Sequence, residues 1–371
     1  MLRAMKLTIS RESLLTPLQS IAGVVERKQT MPVLSNVLLV AEDNTLTLTG
    51  TNMEVELVGR VTPVHVDQPG RITVPARKLS DICRALGEEA PIELALEGDR
   101  LHLRCGASHF TLSTLPAEHF PNVEDEEESF RLELPQKELS RMLDATAFAM
   151  AQQDVRYYLN GLLLEVDKDH VRTVATDGHR LAMAHVDLAT GCPDPRQVIV
   201  PRKGVLELAR LLDDVDTPVT LVIGDNHLRA TVGAYTFTSK QIEGKFPDYN
   251  RVIPRGGNKV VLADRVTLKN MLQRAGILSH ENIRGVRLSL SPNELGVFAN
   301  NPDQEQAEDA LPVEYQGEPL QMGFNVGYLV DVMNALDDDQ VKITLANPNS
   351  SALIESETDN RCLYVVMPMR L

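Results

Sequence analysis

The chain has 371 residues, 43% of them hydrophobic and 24% charged, which is enough for two to four domains with aliphatic cores. Its net charge of −15 argues against binding to nucleic acid, because a phosphate backbone repels an acidic chain. This total does not show how the charge is distributed over the surface. The four cysteines lack the close spacing of zinc ligands and indicate thiols in a reducing cytosol. Neither a signal peptide nor a membrane span is indicated, so we expect a cytoplasmic protein.

Helical and strand patterns alternate along the first third of the chain. Residues 11–25 and 76–87 have the 3.6-residue period of amphipathic helices. Each helix is followed by runs in which apolar and polar residues alternate, and this alternation predicts strands. These runs include residues 45–50, 92–98, 100–105 and 109–114. The short turns between the runs favour antiparallel pairing.

One eight-residue helical pattern occurs three times in the chain. Leu79–Leu86, Val205–Leu212 and Leu329–Leu336 all read apolar, any, acidic, apolar, any, Arg or Asn, any, Leu. Their first residues lie 126 and 124 positions apart. A single match of this length is weak, so a repeat requires other segments at the same spacing.

Leucine pairs and strand segments do recur in the same order and at nearly the same spacing. They are Leu14 and Leu18, Leu139 and Leu143, and Leu268 and Leu272, the strands that start at Asn36, Asn160 and Arg284, and the polar pairs at Thr51, Thr176 and Asn300. The chain is therefore predicted to contain three copies of a unit of about 125 residues. The expected class is α+β, with two helices on one side of antiparallel sheet in each copy.

Polar segments divide the three predicted copies. The acidic residues 124–129 separate the first copy from the second, and the Gly-rich residues 254–258 separate the second from the third. The predicted domains are residues 1–125, 130–253 and 258–371.

Several predicted helices are basic although the chain as a whole is acidic. Residues 75–87 and 264–280 each carry a net charge of +2, and residues 10–28 carry +1. Charge alone leaves two interpretations open. The helices have ordinary solvated faces, or they form one basic layer beneath an acidic outer surface, which would let an acidic protein meet DNA.

Seven separated segments resemble one known family. They are Met31–Leu39, Asp154–Gly161, Thr173–Ala182, Val200–Val205, Phe246–Tyr249, Gly323–Leu329 and Tyr364–Leu371. With the threefold repeat they are similar to the bacterial sliding clamps, the beta subunits of DNA polymerase III, over nearly the whole chain. The resemblance implies a homodimer in which two three-domain chains join head to tail into a ring around double-stranded DNA. Helices would line the hole, and the ring would tether the polymerase and make it processive.

Helix packing favours two chains in such a ring. Six helices packed about 9 Å apart would enclose a hole of roughly 7 Å, whereas twelve would leave roughly 24 Å. Each groove of a duplex is itself about 8 Å deep, so only the larger hole admits DNA.

The resemblance also implies a set of DNA contacts. They are Lys28, Gln153, Tyr157, Tyr158, Arg202 and Lys203. Basic side chains supply an attraction to phosphates that is blind to sequence, and sliding requires that blindness. For each residue the alternative is a solvated or packing side chain, and for Tyr157 a core position is equally expected.

The same resemblance implies a dimer interface between the first domain of one chain and the third domain of its partner. The strand with Phe110 would meet the region of Ile277 and Leu278. The acidic residues 303–309 would lie near this seam, and few basic residues are available opposite them. The ionic contribution to the interface is therefore an open question.

A pocket for partner peptides is the third implication of the resemblance. Its expected residues are Leu159, Thr176, Gly178, His179, Arg180, Leu181, Pro247, Arg251, Val252, Asn325, Tyr328, Ser351, Val365, Met367, Pro368, Met369 and Arg370. The clamp loader, DNA polymerases and repair proteins would insert a short linear motif of Gln, two variable residues, Leu and Phe. Flexible Met side chains suit a pocket that serves many partners. Without the resemblance, the final residues predict a last strand with a frayed end.

Two other functional classes fit the sequence less well. An enzyme would need a catalytic motif, and Asp177 with His179 is only an isolated Asp-x-His pair. We therefore expect no catalytic residue, cofactor or metal. A repeat scaffold that binds partner peptides without encircling DNA is the stronger alternative, and the basic helices argue mildly against it.

Overall fold

Helices occur at the positions that the repeat predicts, two in each copy. The computed structural model describes residues 4–26, 31–88, 90–121 and 130–370. Within these ranges the α-helices are α1 (Arg11–Val24), α2 (Ala76–Ala85), α3 (Gln136–Thr146), α4 (Arg202–Ala209), α5 (Arg265–Gly276) and α6 (Val326–Ala335). The predicted separator at residues 124–129 lies outside the described residues.

Strands follow each helix, also in a repeating order. The first copy contains β1 (Ala4–Ser10), β2 (Asn36–Glu42), β3 (Thr45–Thr51), β4 (Val55–Val61), β5 (His65–Gln68), β6 (Gly70–Pro75), β7 (Pro91–Glu97), β8 (Arg100–Cys105) and β9 (Ser108–Ser113). The second contains β10 (Phe130–Pro135), β11 (Gly161–Val166), β12 (His170–Thr176), β13 (Arg180–Asp187), β14 (Arg196–Pro201), β15 (Pro218–Ile223), β16 (His227–Val232) and β17 (Tyr235–Lys240). The third contains β18 (Lys259–Asp264), β19 (Gly285–Ser291), β20 (Glu294–Asn300), β21 (Gln306–Pro312), β22 (Leu320–Asn325), β23 (Gln340–Leu345), β24 (Ala352–Ser356) and β25 (Cys362–Val366).

Short polar side chains mark the points where a strand ends and a helix begins. The hydroxyl of Ser10 and the carboxylate of Asp264 each accept the N–H of the residue three positions later, at the starts of α1 and α5. Asn325 caps α6 by accepting two backbone N–H groups. Such caps satisfy donors that the first helical turn cannot pair internally.

The threefold repeat predicted from the sequence is confirmed. Its three eight-residue segments begin on α2, α4 and α6, and the polar positions Thr51, Thr176 and Asn300 end the equivalent strands β3, β12 and β20. The paired leucines of α1, α3 and α5 are all buried. Each copy therefore repeats the order of helix followed by strands twice, and the α+β class is confirmed.

The sheets are not confined to single copies, and here the structure differs from the predicted layout. One eight-stranded sheet has the order β10-β15-β16-β17-β4-β3-β2-β6, and another has the order β14-β11-β12-β13-β25-β24-β23-β18. In each, a strand of one copy pairs with a strand of the next, namely β17 with β4 and β25 with β13. Sequence periodicity predicts strands but carries no information about partners so far apart in the chain.

Two smaller sheets contain the remaining strands that the structure describes. The first copy contributes a five-stranded sheet with the order β5-β1-β7-β8-β9, and the third copy a four-stranded sheet with the order β21-β20-β19-β22. Strands β9 and β21 are thus edges of their sheets. The strands at the equivalent positions of the repeat, β17 and β25 for β9 and β4 and β13 for β21, each have a neighbouring strand on both sides. Among the described residues, all the named strand pairs are antiparallel.

Contacts divide the chain into two compact units. The first unit contains residues up to Lys137 together with Lys203–Gln241, and the second contains Glu138–Arg202 together with the residues from Ile242 onward. Each unit holds one eight-stranded sheet and one of the smaller sheets. The second copy is therefore shared between the units, because its two halves pair with different neighbours.

Two expectations from composition can be compared with the fold. The four cysteines are free thiols, and Cys83 and Cys192 are buried, as expected for core cysteines. Burial raises the pKa of the Cys83 thiol to about 12. Among the described helices, none combines the length and the apolar character that a membrane crossing requires.

Candidate functional site

The end of the chain is fixed in place within the second unit. After β25 ends at Val366, the N–H of Met367 donates to the carbonyl of His179 at 2.9 Å. The N–H of Met369 then donates to the carbonyl of Gly323 at 2.7 Å, and Pro368 between them has no N–H to satisfy. The expectation of a frayed end is therefore wrong for the described residues, which extend to position 370.

The turn at residues 176–180 lies beside this tail. The Thr176 hydroxyl donates to the Arg180 carbonyl at 2.6 Å and accepts the Gly178 N–H at 3.1 Å. The Asp177 carboxylate accepts the His179 N–H at 2.9 Å. Gly178 has a φ of +89°, which favours glycine because other residues are strained there. Local hydrogen bonds thus fix the turn that the tail contacts.

Arg180 connects this turn to two other parts of the second unit. Its Nε donates to Asp177 at 3.1 Å, its Nη1 to Asp331 at 2.5 Å and its Nη2 to the Phe148 carbonyl at 2.9 Å. The guanidinium also lies over the rings of Phe148 and Tyr328, at 5.3 and 4.5 Å from their centroids. Each of its three nitrogen atoms donates to an acceptor, so this arginine connects the turn to the rest of the second unit.

A buried apolar cluster contains two of the predicted pocket residues. Leu181 on β13 and Val365 on β25 are paired across the two strands, and both are buried. The other buried members of the cluster are Leu163, Val174, Ile199, Phe246 and Tyr249. Leu181 and Val365 are therefore core residues.

The loop with the predicted residues Pro247, Arg251 and Val252 is anchored through Tyr249. The Tyr249 hydroxyl accepts from Arg172 at 2.8 Å and donates to Glu165 at 3.0 Å. Burial raises the pKa of Tyr249. This anchor leaves Pro247, Arg251 and Val252 exposed at the surface.

The other predicted pocket residues differ in exposure. His179 stacks on Tyr328 with their ring centroids 6.5 Å apart, and Asn325 caps the helix that carries Tyr328. Met367 is 42% exposed. The predicted residues not yet placed are Leu159, which is buried, Ser351, Pro368 and Met369, which are half-buried, and Arg370, which is exposed. The turn, the tail and Tyr328 are therefore brought together by direct contacts.

Four of the predicted DNA contacts lie in the second unit. Gln153 has a φ of +56° in an exposed loop. Tyr157 is 57% exposed and meets the ring of Tyr158 edge-on at 5.8 Å, so the alternative of a core position for Tyr157 is wrong. Arg202 is half-buried, and its Nη1 has no hydrogen-bond partner among the described residues.

The remaining predicted DNA contacts are Lys28 and Lys203. Lys28 lies outside the described residues. Lys203 belongs to the first unit, where its Nζ donates to the Val24 carbonyl at 3.0 Å and to Glu26 at 2.9 Å. Hydrogen bonds from Asn52 and Lys203 lower the pKa of Glu26. The positive charge of Lys203 is thus placed at the C-terminal end of α1, where the helix dipole favours it.

The predicted dimer residues lie on surfaces of the two terminal copies. Phe110 is half-buried on the edge strand β9. Ile277, just after α5, is 77% exposed, and Leu278 is half-buried. In the acidic segment, Asp309 on the edge strand β21 already pairs with Arg274 of α5 at 2.6 Å.

Sequence reasoning missed Phe148 and Asp331, the two partners of Arg180 outside its turn. One signal for Asp331 was present, because it occupies the acidic position of the eight-residue repeat. The repeat indicates a recurring charge on the helix but not its partner. Nothing in the sequence indicates that the Phe148 carbonyl would be an acceptor.

Comparisons with known proteins agree with this architecture. Models of the DNA polymerase III beta subunit match in order, with the N-terminal domain at residues 5–124, the central domain at 133–248 and the C-terminal domain at 250–370. The beta sliding clamp of Pseudomonas aeruginosa is 56% identical over 99% of this chain and 100% of its own length.

Solved structures agree as well. The DNA polymerase III subunit beta from Pseudomonas aeruginosa has a TM-score of 0.96 at 55% identity, covering 99% of this chain and 100% of that one. A sliding clamp from the same organism bound to griselimycin has a TM-score of 0.95 at 55% identity and the same coverage. The chain therefore belongs to the DNA polymerase III beta subunit family, the beta sliding clamps.

Proposed function

We propose that the chain is a sliding clamp: two copies close into a head-to-tail ring around double-stranded DNA and tether the replicative polymerase. The observation that carries this proposal is the match of three consecutive clamp domains over nearly the whole chain. The full-length likeness to beta sliding clamps supports the same function and does not support the alternative of a scaffold that never encircles DNA. The proposed role is non-catalytic, in the cytoplasm of a bacterium.

The sheet topology supports a ring closed by a second chain. Within one chain, β17 of the second copy pairs with β4 of the first, and β25 of the third copy pairs with β13 of the second. The third pairing of this kind would join β9, the equivalent of β17 and β25, to β21, the equivalent of β4 and β13. Among the described residues, β9 and β21 each have a partner strand on one side only. In a dimer, β9 of each chain would pair with β21 of the other chain. These two pairings would leave neither strand with a free edge and would close the assembly.

An aromatic residue marks the same place on all three equivalent strands. Phe110, Phe237 and Tyr364 lie 127 residues apart on β9, β17 and β25. Phe237 and Tyr364 are 0% exposed, whereas Phe110 at the free edge is only half-buried. We expect Phe110 to become buried in the dimer, as its two equivalents are within the chain.

The proposed DNA contacts remain Lys28, Gln153, Tyr157, Tyr158, Arg202 and Lys203. The exposed Tyr157 supports this proposal, because its side chain is available to a phosphate or sugar. Retention would come from ring topology, so weak intrinsic affinity for DNA is expected. Ring opening would require a separate clamp loader that uses ATP.

The proposed peptide pocket lies between the fixed tail, the turn at residues 176–180 and Tyr328. Apolar side chains at its base suit the Leu and Phe of a short linear motif. Arg251 and Arg370 are exposed, and they would orient the peptide through its carbonyl or carboxylate groups. Polymerases, the clamp loader and repair proteins would share this pocket.

Retention on circular DNA tests the ring directly. The protein is loaded with a clamp loader and ATP onto nicked circular plasmid, which is then linearised or left intact before gel filtration. A ring stays on the circle and leaves the free ends, whereas equal retention on both DNAs would contradict the proposal. Phe110→Ala should lose retention on the circle, and Thr111→Ala, on the opposite face of β9, serves as the matched control.

A further inference from the structure

We propose that Asp331 is a positioning residue for the peptide pocket, acting through Arg180. This inference rests on the proposed peptide-binding function and adds a residue that lies outside the predicted pocket. Asp331 lies on α6 of the third copy, whereas Arg180 and the turn it belongs to lie in the second copy. Their contact therefore joins two walls of the pocket that come from different copies.

Burial explains why Arg180 needs this partner. Its side chain is only 12% exposed, so its charge is largely removed from water. Such a charge is stable only when carboxylates or carbonyls replace the lost water. Asp177 belongs to the same turn as Arg180, so that pair cannot hold the turn against another element. Asp331 supplies the carboxylate that does so.

The position of the Tyr328 ring depends on the same contact. Tyr328 precedes Asp331 by about one helical turn on α6, and the Arg180 guanidinium lies 4.5 Å from its ring centroid. The His179 ring also stacks on the Tyr328 ring, with their centroids 6.5 Å apart. When Asp331 fixes the position of Arg180, the Tyr328 ring and the turn with His179 are therefore fixed relative to each other.

The repeat itself shows what is special about the third copy. The acidic residue of the pattern pairs with an arginine three positions later in the first two copies, at 3.0 Å for Asp81 with Arg84 and at 2.8 Å for Glu207 with Arg210. In the third copy that arginine is replaced by Asn334. Asp331 thus has no cationic residue at this helical position and binds Arg180 of the second copy instead.

The first experiment compares Asp331→Asn and Asp331→Glu with the parent chain. Binding of a fluorescent peptide with Gln, two variable residues, Leu and Phe is measured by anisotropy. Asp331→Asn should weaken binding about fivefold to tenfold, since one charge-assisted hydrogen bond is lost. Asp331→Glu restores the carboxylate and should recover part of the loss. Asp169→Asn, at an exposed bend of the same unit, removes the same charge and should bind normally.

The second experiment restores the arginine that the third copy lacks. Asn334→Arg offers Asp331 an intrahelical partner and should weaken peptide binding about threefold. The same substitution should have no further effect when Asp331→Asn is already present. This variant keeps every group of the pocket, so it tests the proposal even where Asp331→Asn impairs folding.

A double-mutant cycle decides whether Asp331 acts through Arg180. Arg180→Lys removes the planar group that serves three acceptors, and Asp331→Asn should then add little to the loss. An undiminished effect of Asp331→Asn in the Arg180→Lys chain would overturn the proposal, as would normal binding by Asp331→Asn. Failure of the parent chain to bind the peptide would instead contradict the proposed pocket.

Discussion

The proposed peptide pocket and the proposed DNA contacts are built differently. In the pocket, backbone hydrogen bonds of the tail, a capped turn and a guanidinium with three acceptors define one arrangement. Among the DNA contacts, Tyr157 is largely exposed and Gln153 lies in an exposed loop. Lys203 is already paired with Glu26.

This difference matches the two kinds of recognition. A pocket that selects a short motif needs fixed walls, because misplacement of a few tenths of an ångström costs contacts. A surface that slides along DNA needs charge without fixed geometry, because every phosphate must serve equally well. The two regions should therefore respond very differently to mutation.

The largest expected effect is on the pocket. Deleting residues 367–371 removes the Met367 and Met369 hydrogen bonds and the partly exposed side chains of the tail. We expect peptide affinity to fall by more than about a hundredfold, while the dimer seen by size-exclusion chromatography is retained. Unchanged peptide affinity would show that the tail is not part of the pocket.

The base of the pocket should respond in stability as well as in binding. Leu181→Ala leaves a cavity in the buried cluster and should lower the free energy of unfolding by about 3 kcal/mol, measured by chemical denaturation. Val155→Ala, at a side chain that is 94% exposed, should change it by less than about 0.5 kcal/mol. Similar losses for the two variants would contradict the distinction between fixed and open regions.

The DNA contacts should show a smaller and salt-dependent effect. Arg202→Ala should weaken binding to a short duplex about threefold and lower the slope of log affinity against log salt by about one. Lys168→Ala, at an exposed turn of the same unit, is the charge-matched control and should leave the slope unchanged. An equal change for both variants would indicate a general charge effect without a defined contact.

The smallest expected effect concerns the loop beside Tyr157. Hydrogen bonds from Arg156 hold the pKa of Asp154 at about 2, below its ordinary 3.8. Because the folded pKa is lowered, the stabilising contribution is present above about pH 4 and is lost as the pH falls through about 2. In carboxyl NMR titrations, Arg156→Gln should raise the Asp154 pKa toward its ordinary value. No change would show that the pair does not form in solution.

Sequence patterns predicted local structure well and distant partners poorly. Periodicity and the repeat located α2, α4 and α6, because the apolar spacing of a helix is a local property. The pairing of β17 with β4 and of β25 with β13 could not be predicted, since it joins strands far apart in sequence.

The same limit applies to the candidate site. The tail and the turn at residues 176–180 were expected together only through the family resemblance. The pairing of Lys203 with Glu26 and of Arg180 with Asp331 could not be predicted, because ion-pair partners depend on packing. The net charge of a single helix does not show whether its basic residues are paired with acidic residues of other elements.

Because two sheets are shared between copies, the three copies are not independent domains that can be separated. Cleavage by a protease at residues 254–258 would not release the third copy, because β25 would still be hydrogen-bonded to β13 through the backbone. A gene fragment that encodes one or two copies would leave half a sheet without its complement and would tend to aggregate. Natural variants of this chain are therefore expected to gain or lose loops, and never a whole copy.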